Sequence, residues 1–232
     1  MKNSNIQFKK TTPFIRIVGT LLCALLVSLT ALTARAQTAT VIDPQGDAFY
    51  GKVGNNGSSK QAPAFLDILV ASFTISDTLT FTVDVAGSLD ALPKLPGNAG
   101  IFAWHFPLNT DNSTDPPGFP LPPGQTAPAD FFADAQWDGT SFRGVFVDRR
   151  PLLTGGSALQ YSIPVSVSGS RITLTVPAAL AAQVKAAVVL PGATWNCFTL
   201  WNNTFLLDHG TDAIHGPAGV GADNIGRQPW PQ

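Results

Sequence analysis

The chain has 232 residues, 14 Lys and Arg against 15 acidic residues, a formal net charge of −1 and two cysteines. It lacks the basic surplus of a nucleic-acid binder or of a protein held on an anionic membrane surface. All 15 acidic residues are Asp, with no Glu, and a short carboxylate suits turns, caps and hard-metal loops where Glu suits helices; the composition is that of a turn-rich β protein.

The first element reads as a targeting segment. Lys2, Lys9, Lys10 and Arg16 give a basic start, and the apolar run from Ile17 to Leu32 follows. That run is about 16 residues, short of the roughly 20 that span a bilayer. Ala34-Arg35-Ala36 then supplies a small-x-small cleavage pattern. The expectation is a signal peptide over residues 1–36, export to the periplasm or the medium, and no membrane span after cleavage. Cleavage would remove five Lys and Arg and no Asp, leaving 14 − 5 = 9 basic and 15 acidic residues, a net charge of −6. Only Cys197 would remain, so no internal disulfide is expected.

Residues 37–232 are expected to form a single all-β domain with one short helix. Strands are expected near 38–42, 66–75, 78–85, 101–108, 131–137, 142–148, 159–167, 171–176, 185–190 and 194–201. The 78–85 segment alternates cleanly: Leu79, Phe81, Val83 and Val85 face in, while the Thr residues and Asp84 face out. The 171–176 segment repeats this pattern. In 101–108 the apolar side is Phe102, Trp104, Phe106 and Leu108, which leaves His105 on the polar side. Trp137-Asp138-Gly139-Thr140 predicts a hairpin turn, because Asp-Gly supplies the positive φ of tight turns. Pro177 to Lys185 predicts the helix, with Pro at its first position. Residues 44–64, 109–129 and 202–232 read as irregular, the last as a tail. Short strands punctuated by turns in this way predict a sandwich or a barrel, of which an antiparallel β-sandwich of jelly-roll type is the expected fold.

The loop carboxylates suggest a metal. Calcium takes about six to eight oxygen ligands on a flexible backbone. Asp43 and Asp47 flank a Pro/Gly turn, Asp67 opens a strand, Asp111 lies in an Asn/Thr/Ser loop, Asp130 precedes another strand, and Asp223 sits in Gly221-Ala222-Asp223-Asn224. These six are the candidates for a shared structural calcium ion. Asp77, Asp84, Asp90, Asp138 and Asp148 have ordinary turn or strand-face explanations.

These motifs carry a resemblance. Asp43-x-x-Gly46-Asp47, then Leu66-Asp67-Ile68 leading a strand, then an alternating Leu-Thr-Phe-Thr-Val strand, resembles the opening of the DOMON-like β-sandwiches. That group includes the ninth-family carbohydrate-binding modules and the C-terminal modules of glucodextranase-type proteins. Asn109-Thr110-Asp111-Asn112-Ser113-Thr114, Ala129-Asp130-Phe131-Phe132 and Gly221-Ala222-Asp223-Asn224 continue the likeness. The resemblance implies a calcium-stabilised sandwich that binds glycan or a cell-surface component.

Other constellations are aromatic and histidyl. In 194–201, alternation puts Trp195, Cys197, Thr199 and Trp201 on one face. Exposed, Trp195 and Trp201 would form a stacking platform for sugar rings; turned inward, they are core. Asp208-His209-x-x-Asp212-x-x-His215 is a compact oxygen and nitrogen cluster, for which the alternative is an exported metal-dependent or Asp-based hydrolase. No G-x-S-x-G elbow or marked carboxylate pair is present, so no catalytic residue is assigned. A structural envelope protein is the third reading.

Overall fold

Period-two alternation resolves into two antiparallel sheets packed face to face, as the sequence predicts. The computed structural model describes residues 35–50, 60–93, 102–113, 119–120, 126–127, 129–201, 210–212, 216–218 and 227–232. In chain order the strands are β1 (Gln37–Ile42), β2 (Phe49–Tyr50), β3 (Lys60–Gln61), β4 (Ile68–Ile75), β5 (Leu79–Val85), β6 (Phe102–Asn109), β7 (Phe119–Pro120), β8 (Thr126–Ala127), β9 (Phe131–Trp137), β10 (Phe142–Asp148), β11 (Leu159–Ile163), β12 (Val165–Ser168), β13 (Arg171–Val176), β14 (Thr194–Trp195), β15 (Phe198–Trp201), β16 (Gly210–Asp212), β17 (Gly216–Ala218) and β18 (Gln228–Pro229). One sheet has the order β1-β4-β5-β13-β12. The other runs β11-β10-β9-β6-β14-β18, with β15 also paired to β6. Three two-stranded pairs, β2-β3, β7-β8 and β16-β17, stand apart from them. The helix α1 (Ala178–Ala187) follows Pro177 and links the two sheets. Among the described residues no helix is long and apolar enough to cross a membrane.

The core lies between the sheets. Leu79, Phe81, Val83 and Val85 of β5 interleave with Phe102, Trp104, Phe106 and Leu108 of β6 and with Ile172, Leu174 and Val176 of β13, all buried. Burying one such side chain contributes about 1.5–3 kcal/mol. Phe73 gathers aromatic partners: it stacks on Phe81 at 4.6 Å and meets Trp230 edge-on at 5.0 Å and Trp195 at 5.9 Å. β6 is buried along both faces over its whole length.

Three expectations along the chain need correcting. The 159–167 strand is two strands in different sheets, because Pro164 has no N–H to continue a ladder; β11 pairs with β10, and β12 turns onto β13. The 194–201 strand keeps one register against β6 but is interrupted at Asn196 and Cys197, opposite Pro107 and its missing donor. Asn196 N still donates to the Pro107 carbonyl, at 3.1 Å. No strand forms over 185–190. The Ala-rich run carries α1 through Ala187, and Val189 and Leu190 lie exposed beyond it before Pro191.

Candidate functional site

Asp67 is the centre of the candidate site. It closes the 3-10 turn Ala64–Leu66, with its own N–H on the Ala64 carbonyl at 3.2 Å. Its carbonyl accepts from Ala86 N at 2.9 Å, which ties the turn to the end of β5. The Asp43–Asp47 turn folds onto it. Gly46, at φ +89°, donates its N–H to Asp67 Oδ2 at 2.8 Å, and Asp43 N donates to the Leu69 carbonyl at 2.9 Å. A positive φ is the conformation that glycine adopts without strain, so the Pro/Gly turn is what delivers this N–H.

Asp67 is only 4% exposed, and among the described residues its Oδ1 is buried and accepts no hydrogen bond. Burial pushes its carboxyl above the ordinary range; the Gly46 N–H opposes this, and the neighbouring charge of Asp47 adds to it. One carboxylate oxygen each of Asp43 and Asp47 is also removed from solvent. Desolvated oxygens of one sign, held together by a backbone turn, favour a hard cation. Among the described residues no three His, Cys or Asp side chains are gathered into a single metal-ligand group. The Asp43–Asp47 turn and Asp67 are therefore neighbouring segments, not a closed cage.

Asp111 and Asp130 lie elsewhere. Asp130 Oδ2 accepts from Thr110 N at 2.6 Å and from Thr110 Oγ1 at 2.7 Å, and Asp130 N donates to the Leu108 carbonyl at 2.9 Å. Burial raises its carboxyl, the Thr110 bonds oppose this, Asp111 adds to it, and Arg150 counters. Arg150 grips Asp148 with two hydrogen bonds, at 2.9 and 2.6 Å, and lies 4.4 Å above the Phe131 ring. Asp111 Oδ1 accepts from Ser113 N at 2.8 Å in an exposed turn. Asp130 is thus a clamp between the ends of β6 and β9, with its cation supplied by the chain.

The two groups stand at opposite ends of β6. Phe65 and Leu66, just before Asp67, accept hydrogen bonds from Trp104 Nε1 and Thr199 Oγ1. Asp130 is bonded at Leu108 and Thr110. Six residues of strand, or roughly 20 Å at about 3.3 Å each, separate these points. One ion shared by Asp43, Asp47, Asp67, Asp111 and Asp130 is excluded by that span. Asp223 lies outside the described residues.

Trp195 faces inward and is 1% exposed, so its ring offers no stacking platform. Trp201 occupies the register position opposite Phe102; its side chain, like His209 and His215, lies outside the described residues. Cys197 is buried in the core. His105 is buried too, on the face of β6 turned away from the core. Its Nδ1 is bonded to Oδ1 of Asp134, its direct partner on β9, and Gln136 Nε2 donates to Asp134 Oδ2 at 3.1 Å. Phe132 and Phe198 flank the imidazole at 4.7 and 4.6 Å.

Sequence reasoning missed Asp134 and a row of aromatic residues. Phe142 on β10 pairs with Trp137 on β9, and Trp137 pairs with Phe102 on β6. The available signal was the pair of aromatics bracketing the Asp138–Ser141 turn. No protein-family model, curated protein or solved structure matches the chain.

Proposed function

We propose that this chain is an exported, non-catalytic β-sandwich module of DOMON-like type, stabilised by calcium at the Asp43–Asp47 turn and binding glycan or cell-surface material. The observation that carries the metal part is Asp67: a buried carboxylate whose Oδ1 accepts no hydrogen bond among the described residues, crowded by Asp47 and bonded to the turn that holds Asp43. A bound divalent cation would neutralise the charge that burial penalises, with Asp43, Asp47 and Asp67 as the side chains that hold it. Its contribution is structural: it locks the turn and the Ala64–Leu66 segment onto the sandwich. The glycan part is supported by the sequence resemblance.

Metal analysis of purified protein by mass spectrometry, with Asp67→Asn as control, tests the ion. Near-stoichiometric calcium in the native protein and none in the variant is the expected result. Equal calcium in both would remove the site. Retention on insoluble polysaccharides tests the binding role, and passage through all of them would refute it.

One observation favours a second reading, an exported hydrolase. The His105–Asp134–Gln136 chain is the carboxylate-oriented imidazole that general bases use. Hydrolysis that is lost in Asp134→Asn while the fold persists would establish it over the binding module.

A further inference from the structure

Processing and fold meet at Gln37. The small-x-small pattern Ala34-Arg35-Ala36 places a signal-peptidase cut directly before it. Independently, the compact body of the chain begins at Ala36, and β1 begins at Gln37. Residues 35–37 are exposed, so the bond between Ala36 and Gln37 lies open at the boundary of the fold. Cut there, the chain starts on the first residue of an edge strand of the β1-β4-β5-β13-β12 sheet.

A glutamine at a chain's N-terminus carries its own electrophile. Its free α-amine reaches the side-chain Cδ within one small ring, and such intramolecular geometry makes closure far faster than attack by an outside amine. The α-nitrogen bonds to Cδ, the bond from Cδ to Nε2 breaks, and Nε2 leaves as ammonia with a proton from the amine. The product is a neutral lactam, and no oxidant, reductant or co-reactant is consumed.

The fold gives this ring a place. Ala39 and Val41 of β1 pack against the core, and alternation puts Gln37 on their face, opposite Ile75 of β4. At this end of the sandwich Gln37, Ile75, Lys185, Val188, Leu190 and Trp230 help to line a cavity of about 290 Å³. Lys185 Nζ donates to the Ser76 carbonyl at 2.9 Å, next in sequence to Ile75. An α-ammonium at Gln37 adds a second cation to a largely apolar lining, whereas the lactam adds a neutral ring. Closure takes only the terminal N–H out of the β1–β4 ladder, and the pairs from Thr38–Thr74 to Ile42–Val70 stay in place.

We infer that Gln37 is the mature N-terminus and is a modification site, cyclised to pyroglutamate at the mouth of this cavity. The modification presupposes the export proposed above. It leaves β1 without a free α-amine, the group an aminopeptidase needs to trim this edge strand from its exposed end.

The full chain, expressed in a secreting bacterial host and recovered from periplasm and medium, provides the test. Primary amines are labelled on the native protein before digestion. The N-terminal peptide is then sequenced by tandem mass spectrometry, with Gln37→Ala in parallel. The expected result is a chain that starts at Gln37 in most molecules, lighter by one ammonia and unlabelled at its α-nitrogen. The Gln37→Ala chain should start at the same position, carry the label and show no such loss. A start at Gln37 with the ammonia retained and the α-amine labelled overturns the cyclisation and leaves export standing. Cleavage at any other bond does the same, as does an equal loss of ammonia in the variant. Protein that keeps residues 1–36 overturns both.

Discussion

His105 and Asp134 face each other directly across the β6–β9 ladder, joined through Nδ1 and Oδ1, on the side of the sheet that does not form the core. Their side chains are 2% and 8% exposed. A buried polar pair depends on both members. Asp134→Ala removes the Nδ1 partner of a buried imidazole packed between Phe132 and Phe198 and is expected to cost about 1–3 kcal/mol, read by denaturant unfolding. The double variant His105→Leu/Asp134→Leu is expected to lose less than the sum of its single variants, which a double-mutant cycle measures.

Trp195 separates a platform from a core. Buried against Phe73, it is expected to cost about 3–5 kcal/mol on substitution by Ala, which lowers the unfolding midpoint in denaturant. A loss below about 1 kcal/mol would show that the ring is not packed as described.

Gly144 is fixed by close approach, not by backbone conformation. A Cβ there would sit 2.3 Å from the Ile163 carbonyl oxygen on the paired strand β11. Gly144→Ala must push β11 off β10 and is expected to cost at least about 1–3 kcal/mol. Hydrogen exchange should show the loss concentrated in Leu159–Ile163.

Asp138 sets a pH dependence. Hydrogen bonds from the Thr140 hydroxyl and from the Ser141 and Thr140 N–H groups lower its carboxyl from 3.8 to about 2. A depressed carboxyl stabilises the fold above its unfolded value and loses that contribution as pH falls through its folded value. The melting temperature of the native protein should therefore exceed that of Asp138→Ala above about pH 4. The two should converge as the pH approaches 2, in a series of thermal melts.

Much of the sandwich was legible in the chain. β5 and β13 have one buried face and one wet face, so period two marks them directly. Pro177 and the alanines after it mark α1, and Asp138-Gly139 marks its turn. Asp67 was visible as a loop carboxylate opening a strand. What escaped was what register decides. β6 is buried on both sides, so His105, which reads as exposed, meets Asp134 only once β6 and β9 pair across the insertion between them. Asp130 reads like Asp67, yet pairing brings it Thr110 and Arg150, and the need for an ion disappears. The row of Trp137, Phe142 and Phe102 likewise exists only across strands.

The central claim is that Asp67 awaits a cation, and calcium titration of metal-stripped protein tests it most directly. Melting is followed by circular dichroism as calcium is added after EDTA treatment. An ion that binds only the folded state stabilises it by about 2.7 kcal/mol at 100 times its Kd, or some 5–10 °C for a domain of this size. Because burial raises the Asp67 carboxyl, its ionised form weighs against the metal-free fold at neutral pH. Metal-free Asp67→Asn should therefore melt no lower than the metal-free native protein, and calcium should leave it unmoved. A native melting temperature that does not rise with calcium, or a variant that rises equally, would contradict the account.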